Sequence, residues 1–254
     1  MTGVGMVAAW FAGGYLVGSV PFGWLIGRMR GVDIREHGSR NIGATNCGRV
    51  CGAPWGVLAF GLDVAKGFLP VFLVATYWIP LQAQAHGPRV ANLLLVAVAL
   101  APILGHVFPV WLKFRGGKAV ATSLGIVLAL PTIWPIALVA FGVWILAVLI
   151  SGYVSVGSTV AALVFLGGYL VFRRETAWGD ALPVTLFVVA LVAVVIARHR
   201  SNYARLVRGE ENRIWGRRKE ERGPVGDSPS LDQDASVPPP EQEEPQSEKG
   251  ASRP

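Results

Sequence analysis

Leu128-Ala129-Leu130-Pro131-Thr132-Ile133-Trp134-Pro135-Ile136 lies in the middle of an almost wholly apolar run, Ala119–Ile150. Whether that run is one helix or two decides the fold. As one straight helix its 32 residues would extend about 48 Å, against a hydrocarbon core of about 30 Å. Pro131 and Pro135 supply a break, because proline removes a backbone donor and clashes with the preceding turn. The two resulting helices are short and need tilt or local bilayer thinning. Charge decides for the break. The basic segments Arg28–Arg49, Lys113–Lys118 and Arg198–Lys219 belong on the inner side. An even number of crossings must therefore separate the second segment from the third.

Working outward, four spans follow Lys118: Ala119–Leu130, Ile133–Ile150, Val156–Phe172 and Ala181–Ala197. Three precede it: Val4–Gly27, interrupted by Gly13, Gly14 and Pro21, then Pro54–Trp78 and Val90–Leu112, with Ile79–Arg89 as a short outer turn. The fold class is all-α, a polytopic integral membrane protein with seven transmembrane helices, the N-terminus outside and the C-terminus cytoplasmic. No charged side chain precedes Arg28, so the first span lacks the basic flank of a signal peptide and reads as retained. Arg173 and Arg174 fall outside, against the charge rule.

Composition agrees. Charged residues are 15% of the chain, against about 25% in soluble proteins, and mean hydropathy is +0.48. The net charge of +7 hides a division. Gly223–Pro254 carries seven acids, two bases and seven prolines, with no Ile, Phe, Trp or Tyr. Such a segment cannot bury enough apolar surface to order itself. It defines a disordered Pro-rich acidic C-terminal tail, 216–254, after a membrane domain, 1–215. The basic body suits anionic substrates and the inner leaflet, and no polar aromatic-rich domain exists to stack bases, so nucleic acid is not a partner. Cys47 and Cys51 are a helical i,i+4 pair without zinc-site spacing.

The seven-span topology gathers four polar segments on one membrane face. The first, Arg35-Glu36-His37-Gly38-Ser39-Arg40-Asn41-Ile42-Gly43-Ala44-Thr45-Asn46, combines cations with small residues whose free N–H groups can cradle an anion. Arg49 follows it, and His37 is a further ligand candidate. The second, Phe114-Arg115-Gly116-Gly117-Lys118, precedes a helix and so offers dipole and free N–H groups beside its cations. It is not a Walker A loop, since Leu112 and Ala119 stand where that pattern needs Gly and Ser or Thr. The third contains Ser155 and Ser158, where Ser158 either donates to a phosphate oxygen or caps the following helix. The fourth is Arg198-His199-Arg200-Ser201-Asn202. His199 and Asn202 share a helical face. His199 is either a general base, kept neutral by the flanking arginines, or a helix C-terminal cation. Asp63 and Lys66, i,i+3 in the second span, form a functional pair or a structural one. His106 reads as a helix-packing or surface residue.

No His-x-x-x-x-Asp acyltransferase signature, Gly-x-Ser-x-Gly elbow or zinc cluster appears, so an enzyme here must use an already activated donor. Metal and cofactor are expected to be none. A transporter or exchanger of organic phosphates is the competing reading of a basic intramembrane site.

These residues resemble the bacterial membrane acyl-phosphate:glycerol-3-phosphate acyltransferase family (PlsY). The resemblance runs through Gly18–Gly23, Asp33–Asn46, Asp63–Gly67, Gly105–Pro109, Phe114–Lys118, Tyr153–Ser158 and Arg198–Asn202. It implies transfer of a fatty acyl group from acyl phosphate to glycerol 3-phosphate, giving lysophosphatidic acid and phosphate, the first acylation of phospholipid synthesis. It implies a bacterial cell membrane location with a cytoplasmic active site, a monomer or homo-oligomer, contact with membrane lipid, and acyl phosphate supplied by a partner enzyme. Carried onto this sequence, it makes His199, Asn202 and Lys118 catalytic and Ser39, Arg49 and Ser158 substrate-binding. Gly38, Asn41, Gly43 and Asn46 fall in one phosphate loop, Gly116 and Gly117 in a second, and backbone N–H groups of both loops are expected to hold the donor phosphate. Three departures stand out. Arg40 and Ala119 occupy positions where the family favours Gly, and Glu210-Glu211 replaces Thr-Glu.

Overall fold

The computed structural model describes residues 3–214. The expected disordered tail, 216–254, lies outside the described residues. Every regular element among them is helical.

Proline and glycine set the helix ends. Helix α1 (Gly3–Ser19) stops before Pro21, and the chain resumes as α2 (Phe22–Met29). A short helix, α3 (Ala44–Cys51), leads through Gly52 into α4 (Ala53–Leu73), which accepts Pro54 in its first turn, where no donor is needed. The expected outer turn at Ile79–Arg89 is not there. The chain continues through one wide π-helical turn, Val74–Trp78, into α5 (Ile79–His86). Pro80 sits in the first turn of α5, and the wide turn before it accommodates the missing donor. Then come α6 (Pro88–Val107) and a single 3₁₀ turn, Val110–Leu112.

The break at Pro131 is present. Helix α7 (Val120–Ala129) ends there and α8 (Trp134–Ser151) begins with Pro135 in its first turn. Leu130 is extended, φ −88° and ψ 113°, as the residue before a proline prefers. Gly152 turns the chain in the left-handed region into α9 (Val154–Phe172). Helix α10 (Leu182–Arg198) bends by 45° at His199 into α11 (Arg200–Val207).

Five helical stretches are long and apolar enough to cross a membrane, or six if α10 and α11 count as one bent span. Helix α7 is apolar but short, about 15 Å. It is held by contact rather than length. Gly67 of α4 lies against the Thr122 carbonyl, and Gly125 of α7 against the Val64 carbonyl, so close that a Cβ at either would collide. Small residues at such crossings let helix backbones touch, the main packing device where lipid offers no hydrophobic contrast. Val71, Ala99, Ile126, Ile133 and Val188 fill the core between α4, α6, α7, α8 and α10. Leu146, Ile150 and Phe172 are among the apolar side chains left exposed on the outer surface, the expected face toward lipid. The short α7 thus brings its N-terminus to the same place as the N-termini of α3 and α9 and the bend after α10.

Candidate active site

At that place is a cavity of ≈ 820 Å³. Ser39, Asn41, Gly43, Asn46, Arg49, Lys118, Ser158, His199 and Asn202 all line it. The four polar segments do meet. Gly38, Gly116 and Gly117 do not line it, and neither do His37 and Arg40.

The loop before α3 is organised by one buried side chain. Asn46, 1% exposed, accepts from Ser39 N at 2.8 Å. It donates to the carbonyls of Ile34 at 2.7 Å, Asn41 at 2.9 Å and His37 at 3.2 Å. Its amide is committed to the loop, so Asn46 shapes the wall rather than offering a donor. Gly38, at φ +60°, is needed because a Cβ there would strike Asn46 Oδ1. Asn41 Oδ1 accepts from Gly43 N at 2.9 Å, which starts α3. The first N–H groups of α3, at Ala44 and Thr45, have no intrahelical partner, and both residues face the cavity. Arg49, five residues on, also faces it, and burial holds its guanidinium below the usual arginine range.

The second glycine segment does a different job from the one expected of it. Gly116 N donates to Val107 O at 3.1 Å and Gly117 N to His106 O at 3.1 Å. Their carbonyls accept from Arg198 Nη2, at 3.4 and 2.7 Å. These N–H groups are therefore not anion donors. The glycines are required by closeness. A Cβ on Gly116 would overlap the His106 carbonyl, and one on Gly117 the imidazole Nε2 of His106. What the segment presents is Lys118, together with the first turn of α7 at Val120 and Ala121. Burial pushes the Lys118 ammonium down to about 8, with Arg205, Arg198 and Arg49 adding to the shift and Glu211 opposing it.

His199 sits at the α10–α11 bend, 2% exposed. Its Nδ1 is 2.8 Å from the Val195 carbonyl, so Nδ1 carries the proton and Nε2 is left as acceptor. Its pKa is lowered to about 4, first by burial and then by the Lys118 charge. The flanking arginines, expected to keep it neutral, are not the cause. Asn202 does not orient the ring either. Its Oδ1 accepts from Lys118 Nζ and its Nδ2 donates to Glu211 Oε1 at 2.6 Å. Glu211 also accepts from Arg205 at 2.8 Å and Ser155 at 3.3 Å. The chain after α11 returns to the α8–α9 turn, Ile214 N donating to Gly152 O at 2.9 Å, and so brings Glu211 to the cavity. Glu211 was not among the expected site residues. Sequence distance hides it, and its only signal was the Glu-Glu departure. Ser158 is not a cap, for Tyr153 occupies that position. It lies a turn inside α9 and accepts from Trp144 Nε1 at 3.2 Å.

All four non-glycine residues with positive φ among the described residues belong to the two loops that build the cavity: Arg40 (58°), Lys113 (52°), Phe114 (61°) and Ala119 (59°). Arg40 and Ala119 are the two positions where the resemblance led to an expectation of glycine. The left-handed backbone explains that preference. Arg40 is exposed and neither crowds the cavity nor contacts it.

Below the polar cavity runs an apolar groove of ≈ 610 Å³ between α7, α8, α9 and α10. Phe60, Val120, Trp144 and Ser158 belong to both walls. Phe60, Phe141 and Trp144 stack with centroids 5.9–6.2 Å apart at this border.

Fold and site define a helical membrane protein with a cationic cavity opening onto an apolar groove. The glycerol-3-phosphate acyltransferase family profile matches residues 8–209, and the chain belongs to this family. A glycerol-3-phosphate acyltransferase of Anaeromyxobacter (strain Fw109-5) is 47% identical over 205 residues, covering 80% of this chain and 94% of that one. One from Staphylococcus aureus (strain JH9) is 44% identical over 205 residues, 79% and 94%. The crystal structure of PlsY (YgiH), an integral membrane glycerol 3-phosphate acyltransferase, in its glycerol 3-phosphate form superposes with a TM-score of 0.71 at 36% identity, covering 83% of this chain and 96% of that one. Its lysophosphatidic acid form gives 0.68 at 36% identity, covering 82% and 95%.

Proposed function

We propose that this protein transfers a fatty acyl group from acyl phosphate to glycerol 3-phosphate, releasing lysophosphatidic acid and phosphate. The observation that carries the reading is the junction of the two compartments. Arg49, Lys118, a neutral His199 and three helix N-termini face a polar cavity, and that cavity meets an apolar groove at Phe60, Val120, Trp144 and Ser158. The acyl carbonyl sits at the border, its chain in the groove and its phosphate in the cavity.

Acyl phosphate is a mixed anhydride, so no acyl-enzyme is needed. Arg49, Lys118, Ser39 and Ser158 hold the acceptor phosphate. Nε2 of His199 takes the proton from the acceptor hydroxyl as its oxygen attacks the carbonyl carbon. The carbon–oxygen bond to phosphate breaks, and phosphate leaves with the bonding pair. Free N–H groups at the starts of α3, α7 and α9 stabilise charge on the phosphates and on the carbonyl oxygen, a preorganised role. Asn202, tied between Lys118 and Glu211, keeps the cation beside the base.

The topology we infer has seven crossings: α1 with α2, α4 with α5, then α6, α7, α8, α9 and α10, with the N-terminus outside and the cavity on the cytoplasmic face of a bacterial cell membrane. Arg28–Arg49, Lys113–Lys118 and Arg198–Arg213 all flank the cavity end of these helices, which supports that orientation. Residues 1–215 form the catalytic unit, and 216–254 lie beyond it, as they do beyond the family match at 209. A partner enzyme supplies the acyl phosphate.

The test is release of phosphate from acyl phosphate, dependent on glycerol 3-phosphate, by the purified full chain. His199→Ala and Lys118→Ala should each lower it by about 10²-fold or more. Near-normal rates in folded variants would remove these assignments. Glycerol 3-phosphate flux into sealed vesicles without acyl transfer would favour the transporter.

A further inference from the structure

Three buried polar side chains take no part in the mechanism above, although two of them, Asp63 and His106, line the cavity. Asp63 and Lys66 lie inside α4, 2% and 3% exposed, and His106 lies at the end of α6, 5% exposed. Lys66 Nζ is 2.7 Å from Asp63 Oδ1. An ion pair in an apolar span is a costly choice, because apolar residues of similar volume often serve stability as well or better. Ionisable groups kept at such depth mark function by default.

The contacts of this pair lead to both ends of a strut. On one side Lys66 Nζ donates to the Val20 carbonyl at 2.7 Å and sits 5.6 Å from the Phe22 ring. Val20 lies in the gap between α1 and α2, where Pro21 has interrupted the helix, and its carbonyl accepts from Phe22 N at 3.2 Å as well as from Lys66. On the other side Asp63 Oδ1 is 3.8 Å from His106 Nδ1, and Thr122 Oγ1 of α7 is 3.2 Å from the same nitrogen. The Thr122 hydroxyl is the group in hydrogen-bond range of Nδ1, the Asp63 carboxylate lies against the ring just beyond that range, and Nε2 is placed under Gly117. Gly117 is the residue before Lys118, and its N–H is bonded to the carbonyl of His106.

We propose that Asp63 and Lys66 are positioning residues of the acceptor site. With Asp63 packed against its ring and Thr122 bonded to it, His106 stays beneath Gly117 and sets the height and direction from which Lys118 enters the cavity. The broken first span, the third span and the phosphate-binding lysine are thereby aligned through one buried ion pair. The proposal rests on the reading that Lys118 binds the acceptor phosphate. A small misplacement of a group that binds the acceptor phosphate is expected to weaken acceptor binding by about tenfold.

The test uses the full chain in detergent and in proteoliposomes. Asp63→Leu combined with Lys66→Met removes both charges together, so no uncompensated charge is buried. The double variant should remain monodisperse and keep kcat within about threefold. Its KM for glycerol 3-phosphate should rise about tenfold or more, while its KM for acyl phosphate is unchanged. A merely structural pair would lower the yield of folded protein and leave the KM of the folded fraction alone, and that result overturns the proposal. Thr122→Val is the second variant, decisive if the double variant does not fold. It loosens the ring without touching a charge, and the KM for glycerol 3-phosphate should rise several-fold, with Thr122→Ser restoring it. Wild-type KM in Thr122→Val overturns the proposal as well. Hydrogen exchange separates this proposal from the catalytic reading. The amides of Gly116 and Gly117 should exchange about tenfold faster in either variant, whether or not the protein transfers acyl groups. Unchanged exchange refutes the strut, whereas absence of acyl transfer by wild type refutes only the catalytic reading.

Discussion

The two glycine-bearing loops at the cavity look alike in sequence and are built in opposite ways. Arg35–Asn46 folds around its own side chain, Asn46, and delivers a helix start whose N–H groups face the cavity. Phe114–Lys118 is pinned from outside. Its glycine N–H groups bond to the end of α6 and its carbonyls to Arg198, so it delivers one side chain, Lys118. Glycine in the first loop makes room for a polar staple, and in the second it makes room for an imidazole. A cluster of glycine and basic residues therefore announces closeness of backbone to something, and only the hydrogen bonds tell whether that something is ligand or protein.

The sharpest way to break this contrast is Gly117→Ala. The new methyl meets His106 Nε2, a ring held on its other side, so the backbone must move and carry Lys118 with it. Acyl transfer should fall by about 10²-fold with the protein still inserted. Asn46→Ala attacks the first loop through its staple and leaves the bonded N–H of Ser39 and three carbonyls without their partner. The expected loss is about 1–3 kcal/mol of stability, read by thermal unfolding in detergent, with a raised KM for glycerol 3-phosphate.

The next effect depends on pH. The Lys118 ammonium has a pKa lowered to about 8 by burial, so its charge is present below that value and lost above it. Wild-type kcat/KM for glycerol 3-phosphate should fall about tenfold between pH 7 and pH 9. In Lys118→Arg the alkaline fall should vanish, since the guanidinium stays charged. His199, at about 4, remains a base throughout that window and contributes no limb within it. The smallest effect belongs to Arg40→Gly. It removes a left-handed strain of about 1–2 kcal/mol and adds backbone entropy loss of about 0.5–1 kcal/mol. A gain of about 1 kcal/mol or less in stability, with activity within twofold, is expected. A fall in activity of tenfold would assign Arg40 a role in the site that the geometry does not give it.

Much of this was legible in the residues. Prolines at 21 and 131 mark breaks that are present, and the requirement that basic segments share one face brought four distant stretches to one cavity. Residue type also located Arg49, Lys118 and His199. Other features were hidden because they depend on partners far along the chain or on backbone geometry. Pro80 reads as a helix breaker, yet a π turn carries the helix past it. Ser158 reads as a phosphate donor or a cap, and the helix start at Tyr153 excludes the cap while Trp144 Nε1 donates to its hydroxyl. Asn202 reads as a partner of His199 by spacing, yet it bridges Lys118 and Glu211. The charge count credits the neutrality of His199 to its flanking arginines, whereas burial, invisible in such a count, is the main cause. Arg40 and Ala119 stand out in the sequence as departures, but only the positive φ at both explains why glycine is favoured there.

The stacked border of Phe60, Phe141 and Trp144 has one more consequence. In the proposed reaction the two products are born on opposite sides of it. Phosphate is released into the polar cavity and drains to water, while the lipid product keeps its chain in the groove and slides sideways into the leaflet. The wall thus gives the two products separate exits, while the direction of the reaction is set by the free energy released when the mixed anhydride is consumed.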